Sequence, residues 1–191
     1  MRTLLFLFFC LFSFEFQAQD FDVFYLSIGN AHYENRLEKF EEDCTPFSPV
    51  KGARRSARYV KEILERSAKG QGVMLRSDAG QLLTKERVLK ALDEIVKMAK
   101  ESKSSNPLIV FYYCGHGVSE GFAWNQYLVP GDFTKKPKDI STNSLALNLD
   151  VLGDDLIHLG EVTDAIEASK LPYLCLIDAC SEGAEEKFGG L

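Results

Sequence analysis

Short apolar runs alternate along the chain with segments in which apolar residues recur every three or four positions. Four of these runs are predicted to be strands of a parallel sheet, because they are apolar almost throughout and such strands are buried on both faces. They cover residues 22–29 and 73–75, and the runs that lead into Gly115-His116-Gly117 and into Asp178-Ala179-Cys180. A looser alternation over residues 122–129 predicts a short hairpin strand.

Three segments between these strands are predicted to be helices. The first begins near Val50, keeps apolar residues at helical spacing, and ends at the glycines of residues 70–72. Thr84 is the expected N-cap of the second helix, and the third covers residues 159–169. Residues 130–156 are predicted to be mostly loop. Alternating strands and helices predict an α/β fold with a mostly parallel sheet and right-handed crossovers.

The N-terminal residues have the pattern of a secretory signal peptide. A short basic start with Arg2 precedes the uncharged apolar run of residues 4–14, and Gln17-Ala18-Gln19 offers a small residue before a cleavage site. The apolar run is too short to span a bilayer comfortably, although an uncleaved membrane anchor is the alternative. We therefore expect a signal peptide at residues 1–19, one domain at residues 20–191, a secreted or periplasmic location and no stable membrane anchor.

Composition narrows the function classes further. The chain has 191 residues, a hydrophobic fraction of 46% and a net charge of −6, which is typical of one globular domain. An acidic chain without a basic stripe lacks the electrostatic footprint of a nucleic-acid-binding protein. Among the five cysteines, Cys114 and Cys175 lie in predicted strands and are interpreted as core residues, with a disulfide as the alternative. The spacing of His and Cys fits no zinc site, so no metal or cofactor is expected from the residues.

The candidate chemistry lies at the ends of two predicted strands. Parallel sheets carry their functional groups at the carboxyl ends of the strands, so His116 and Cys180 are expected on the same edge of the sheet. An imidazole next to a thiol can remove its proton and leave a thiolate, which is the nucleophile of cysteine proteases. The alternative is that His116 is a turn residue and Cys180 a buried thiol.

Four segments in this order resemble the caspase-like cysteine peptidases, and the metacaspase and bacterial branch of that clan more than the animal caspases. Two of the segments are Gly115-His116-Gly117 and Asp178-Ala179-Cys180. The other two are Leu26-Ser27-Ile28-Gly29-Asn30 with Tyr33, and Tyr127-Leu128-Val129-Pro130-Gly131-Asp132. The resemblance covers nearly all of the chain after residue 19. Animal caspases place histidine about fifty residues before Gln-Ala-Cys, whereas here the separation is 64 and Asp178 stands in the place of that Gln.

The resemblance implies a caspase-like three-layer sandwich and a cysteine endopeptidase that hydrolyses peptide bonds of a protein or peptide substrate. His116 would be the general base and Cys180 the nucleophile. The backbone N–H groups of Gly117 and Cys180 would form the oxyanion hole, because a glycine lets the loop approach the substrate carbonyl closely. No cofactor is implied, except calcium on acidic loops such as Asp154-Asp155 by analogy with some metacaspases.

The resemblance also implies the substrate class. In metacaspases the aspartate that matches Asp178 lines the first specificity pocket and pairs with a substrate arginine or lysine, a contact suited to charge-assisted hydrogen bonds. Asp178 lies two residues before Cys180, so both side chains are expected on the same side of the strand. A carboxylate that only accepts loop N–H groups is the alternative. Where the family often has Asn-Asp-Ala, this chain has Arg55-Ser56-Ala57, so Ser56 is expected where a second pocket carboxylate is often found.

The chain after Cys180 is shorter than the family pattern implies. Residues 181–191 follow, whereas family members normally continue with two more strands and helices that complete the sheet and one wall of the substrate groove. We therefore expect a large-subunit part that lacks the C-terminal half, with a separate or cleaved small subunit as a partner. A non-catalytic caspase-like module for binding or scaffolding is the alternative function. A flavodoxin-like nucleotide binder fits the sheet, but the chain lacks a glycine-rich phosphate loop after the first strand.

Overall fold

A computed structural model describes residues 21–33, 49–68, 70–78, 80–120, 125–133 and 155–182. The predicted signal peptide and most of the predicted loop of residues 130–156 lie outside the described residues. Within the described ranges, no helix has both the length and the apolar character needed to cross a membrane.

Six strands form one sheet in the described part of the chain. They are β1 (Asp22–Gly29), β2 (Gln71–Arg76), β3 (Pro107–Glu120), β4 (Asn125–Leu128), β5 (Ile157–His158) and β6 (Tyr173–Glu182). β1 pairs in parallel with β2 and β3, and β3 pairs in parallel with β6. β4 is antiparallel to both β3 and β5. The sheet is therefore mostly parallel, which confirms the prediction.

The two faces of the sheet are covered by helices: α1 (Ala53–Ser67), α2 (Lys85–Glu101) and α3 (Leu159–Glu167). α1 packs on one face, where Ala57 joins a buried cluster with Tyr112 and Cys114 of β3. α2 and α3 pack on the other face, where their apolar residues cluster with Leu26 and Ile28 of β1. The three layers of helix, sheet and helix confirm the predicted α/β sandwich.

Gly29 at the end of β1 lets α1 approach the sheet closely. A Cβ atom at this position would lie 2.7 Å from the carbonyl oxygen of Ala53 and 2.8 Å from the Cα of Arg54, which is closer than van der Waals contact allows. Ala53 itself is fully buried. The small residues at this contact therefore bring the first turns of α1, which carry Ser56, onto the carboxyl end of β1.

The helices begin and end close to the predicted positions. Thr84 is the N-cap of α2, since its Oγ1 accepts a hydrogen bond from the backbone N–H of Arg87 at 3.1 Å. The first helix begins at Ala53 rather than near Val50, and the third ends at Glu167 rather than at residue 169. Helix ends are the least certain part of a sequence-based prediction, because the apolar periodicity fades there.

Three strands differ from the prediction. β5 has only two residues, which are too few to show a periodicity. β3 continues to Glu120 and β6 to Glu182, so neither His116 nor Cys180 is at the strand end where the sequence placed it. The physical reason is that the last residues of β3 pair with β4 and prolong the strand beyond the histidine.

β6 is covered on only one of its faces by the described residues. One face packs against the core beneath α2 and α3 through Tyr173, Cys175 and Ile177. On the opposite face, Leu174 and Leu176 are 47% and 40% exposed. Cys175 of this strand and Cys114 of β3 are free thiols, and burial raises the pKa of each to about 11. Both therefore stay protonated at neutral pH and pack in the sheet, as predicted.

Candidate active site

The parallel pairing of β3 and β6 decides which residues of the two motifs lie side by side. In this register the Cα of His116 is the partner of the Cα of Cys180, and Cys114 is the partner of Asp178. Neighbouring strands lie about 4.8 Å apart. The two predicted catalytic residues are therefore backbone neighbours although 64 positions separate them in the sequence.

β3 pairs with β6 along one edge. Along its opposite edge the neighbouring strand changes from β1 to β4, and His116 lies at this change. Among the described residues, the pairing with β1 ends at Cys114 and the pairing with β4 begins at Gly117. Gly115 and His116 lie between the two pairings, and the segments that follow β1 and β4 approach them there. Parallel α/β sheets bind ligands at the carboxyl ends of their strands, where neighbouring connections diverge. This gap at the end of β1 is therefore the expected place for a functional site.

Two tyrosine hydroxyls hold the backbone of His116, whose exposed fraction is only 7%. The backbone N–H of His116 donates a hydrogen bond to Tyr33 Oη at 2.7 Å, and the Tyr113 hydroxyl donates to the carbonyl oxygen of His116 at 3.1 Å. That carbonyl also accepts the N–H of Val129 at 3.0 Å. The ring of Tyr33 lies against the imidazole, with centroids 4.9 Å apart and planes inclined by 56°. Both polar backbone groups of His116 are therefore satisfied within the protein.

Asp178 belongs to a second polar cluster, beside the start of α1. The Tyr112 hydroxyl donates a hydrogen bond to Asp178 Oδ2 at 3.2 Å, and Asp178 itself is exposed. Cys114 is the register partner of Asp178, and Ser56 is close enough to Tyr112 and Cys114 to influence the pKa of each. Burial raises the pKa of Tyr112, and the nearby Cys114 and Asp178 raise it further. The phenol therefore stays protonated at neutral pH and remains a donor to the carboxylate.

Comparison with known protein families assigns the chain to one of them. A family model described as the caspase domain, of peptidase family C14, matches residues 25–190. The chain belongs to the caspase-domain family. Its resemblance to the caspase-like peptidases is thereby confirmed, together with the fold that the resemblance implied.

One curated relative of this caspase domain is the uncharacterized protein y4kE of Sinorhizobium fredii (strain NBRC 101917 / NGR234). It is 36% identical over 77 residues. The match covers 40% of this chain and 18% of the relative, so the chain spans less than a fifth of that protein.

The caspase domain brings the predicted site residues into two neighbouring groups. His116 and Cys180 are register partners, and Asp178 and Ser56 share a cluster through Tyr112 and Cys114. Gly117, which the sequence assigned to the oxyanion hole with Cys180, is the register partner of Ser181. The contact between thiol and imidazole and the oxyanion hole itself stay predictions.

Several residues around the predicted site of the caspase domain were not assigned to it from the sequence. Cys114 was interpreted as a core residue, and Tyr112 was not singled out. The two-residue period of a strand puts positions 112, 114 and 116 on one face, and this signal could have placed both residues beside the site. Tyr33 was named only as part of a segment that resembles the family, and no local signal marks its contact with His116, because that contact joins residues 83 positions apart.

Metal binding has no support among the described residues of the caspase domain. No group of three or more His, Cys, Asp or Glu side chains in those ranges is placed to hold a metal ion. The calcium suggestion for Asp154-Asp155 falls partly outside them, because only Asp155 is described.

Proposed function

We propose that this caspase domain is a cysteine endopeptidase in which His116 activates the thiol of Cys180. The observation that carries the proposal is the register of β3 and β6, which makes the two residues backbone neighbours. Membership of the caspase-domain family supports the hydrolysis of peptide bonds. The buried hydrogen bonds of the His116 backbone support the role of a base, because proton transfer requires a fixed imidazole.

The proposed reaction has two halves. First, the imidazole of His116 takes the proton of the Cys180 thiol, and the thiolate attacks the carbonyl carbon of the substrate. The N–H groups of Gly117 and Cys180 stabilise the oxyanion of the tetrahedral intermediate. The imidazolium then gives its proton to the leaving amine, and a thioester remains on Cys180. In the second half His116 removes a proton from water as the oxygen attacks the thioester. The C–S bond breaks, the carboxylic acid product leaves, and the imidazolium returns its proton to the Cys180 thiolate.

We also propose that the preferred substrates carry arginine or lysine before the cleaved bond. The exposed carboxylate of Asp178 offers a negative charge two residues before Cys180, and the Tyr112 hydroxyl orients it. A guanidinium or ammonium group makes charge-assisted hydrogen bonds with such a carboxylate. Ser56 adds a neutral hydroxyl to the same cluster rather than a second charge, so the preference for a basic residue is moderate.

The test of the dyad uses Cys180→Ala and His116→Ala in the full-length natural protein. Each variant is expected to abolish hydrolysis of an arginine peptide, because each removes one partner of nucleophile activation. Thermal unfolding verifies that the variants remain folded. The matched control is His158→Ala at the start of α3, whose imidazole lies against Tyr127, and this variant is expected to keep its activity.

A folded Cys180→Ala or His116→Ala protein that retained most of the activity would show that the dyad assignment is wrong.

Labelling with a thiol-reactive peptide that ends in arginine distinguishes a peptidase from a non-catalytic caspase-like module. The peptidase is expected to form a covalent adduct at Cys180 that mass spectrometry locates. A binding module would show no preferential labelling of this cysteine.

A further inference from the structure

His116 lies in a segment of β3 that has no strand partner on one side among the described residues. Pairing with β1 ends at Cys114 and pairing with β4 begins at Gly117. A buried backbone N–H group in such a gap costs free energy unless another group accepts its hydrogen bond. The N–H of His116 finds this acceptor in a side chain rather than in a neighbouring strand.

Tyr33 supplies the acceptor. The backbone nitrogen of His116 lies 2.7 Å from Tyr33 Oη, and the Tyr33 hydroxyl in turn donates to the carbonyl oxygen of Asn30 at 3.1 Å. Tyr33 is 5% exposed and Asn30 is 1% exposed. Because water does not reach these groups, a hydrogen bond that breaks here cannot be replaced by solvent, and the arrangement is held in one geometry.

The hydrogen bonds return to His116 and form a cyclic network. Asn30 Nδ2 donates to the carbonyl oxygen of Val129 at 2.9 Å, and the N–H of Val129 donates to the carbonyl oxygen of His116 at 3.0 Å. The network therefore runs from His116 through Tyr33, Asn30 and Val129 and back to His116. Tyr33 is the member that also contacts the imidazole, at 4.9 Å between ring centroids.

Gly115 makes room for this arrangement. A Cβ atom at position 115 would lie 2.6 Å from Tyr113 Oη and 2.8 Å from Tyr33 Oη. Both hydroxyls belong to buried rings, which cannot swing aside without disturbing the core. The glycine that precedes His116 is therefore needed for the two tyrosines that hold the His116 backbone.

We propose that Tyr33 is a positioning residue for His116, an inference that rests on the proposed peptidase function. Its hydroxyl fixes the backbone of His116 in the gap between β1 and β4, and its ring fixes the imidazole. Proton transfer between His116 and Cys180 depends on this placement, whereas the cluster around Asp178 does not contain Tyr33.

The test replaces Tyr33 with phenylalanine in the full-length natural protein and follows hydrolysis of an arginine peptide. Tyr33→Phe keeps the ring and removes only the hydroxyl. We expect kcat to fall about 10- to 100-fold while KM changes by less than about twofold, because the base moves and the substrate pocket does not. The rate at which iodoacetamide alkylates Cys180, followed by mass spectrometry, is expected to fall as well, since this reaction needs the thiolate but no peptide.

Tyr25→Phe is the matched control. Tyr25 is buried like Tyr33, and its hydroxyl donates to Glu65 Oε1 at 2.7 Å. Its register partner on β3 is Val110, which is distant from His116 along the strand. This variant loses a tyrosine hydroxyl away from the site and is expected to keep both kcat and the alkylation rate.

Gly115→Ala is a second variant that tests the placement of His116. Its added methyl group displaces the hydroxyls of Tyr33 and Tyr113 and leaves the dyad side chains unchanged. It is expected to show the same loss of kcat. A kcat within about twofold of wild type in Tyr33→Phe, or in Gly115→Ala if Tyr33→Phe does not fold, overturns the proposal. An equal loss of kcat in Tyr25→Phe also overturns it, since the effect would then be one of general stability.

His116→Ala distinguishes the two proposals. If His116→Ala is active, the dyad is wrong and the positioning role fails with it. If His116→Ala is inactive and Tyr33→Phe is fully active, the dyad stands and only the positioning role is wrong.

Discussion

At the scale of single residues, the site depends on both faces of β3. Tyr112 and Cys114 precede His116 at two-residue spacing and meet Asp178. Tyr113 points to the opposite face and reaches the carbonyl oxygen of His116. One strand therefore supplies the proposed base, a support for that base and part of the proposed specificity pocket.

The charge of Asp178 is expected to set the preference for arginine. Asp178→Asn keeps the size of the side chain and an acceptor for the Tyr112 hydroxyl, but it removes the charge. The preference for arginine over a neutral residue should fall by about 1–3 kcal/mol, the scale of a hydrogen bond to a charged group. The ratio of kcat/KM for an arginine and a norleucine peptide measures the change.

The control for this prediction is Asp93→Asn, which removes an exposed carboxylate from α2 and should leave the ratio unchanged. An arginine preference that survives Asp178→Asn would show that Asp178 does not line the pocket. Preferential cleavage after aspartate in the wild-type protein would contradict the assignment as well.

At the scale of elements, the contact between β1 and α1 decides whether Ser56 reaches the polar cluster. The backbone of α1 approaches Gly29 so closely that a methyl group has no space there. α1 in turn covers Tyr112 and Cys114 with Ala53 and Ala57. A shift of this helix would therefore change the core and the proposed pocket together.

Gly29→Ala is expected to destabilise the protein by about 1–3 kcal/mol, because the added methyl group would overlap the Ala53 carbonyl and push α1 outward. For a chain of this size each kcal/mol lowers Tm by about 2–4 °C. Gly52→Ala is the matched control, since a Cβ atom there meets no atom within 4 Å. Equal Tm values for the two variants would show that α1 can shift without cost.

At the scale of the whole molecule, the hydrogen bonds around His116 and the polar cluster around Asp178 lie side by side. They meet where the strand paired with β3 changes from β1 to β4. The sheet is packed by α2 and α3 on one face, and by α1 on the other. Beside α1, the exposed Leu174 and Leu176 of β6 continue the sheet surface next to Asp178. Among the residues that the structure describes, none therefore covers the proposed pocket on the side of β6.

We propose that the protein leaves the cytoplasm with residues 1–19 removed. The basic start and the uncharged apolar run of residues 4–14 motivate this expectation. Mass spectrometry of the protein in the culture medium or periplasm should find an N-terminus near Asp20. Recovery of the protein from the cytoplasm with Met1 intact would contradict it.

The sequence by itself determined the order of the helices and of every described strand except the two-residue β5. It also determined the packed state of Cys114 and Cys175 and the two motifs that carry the proposed chemistry. These features are local, because apolar periodicity, the Thr84 cap and the residues after each apolar run are visible within a few positions. The family pattern then allowed the fold class to be predicted correctly.

Only the tertiary structure decided which residues meet. The alignment of His116 with Cys180 depends on the register of β3 and β6, and a shift of one residue would move every partner. The hydrogen bonds of His116 to Tyr33 and of Asn30 to Val129 join residues 83 and 99 positions apart. No local pattern encodes such contacts, because they arise only when distant segments pack into the gap beside β3.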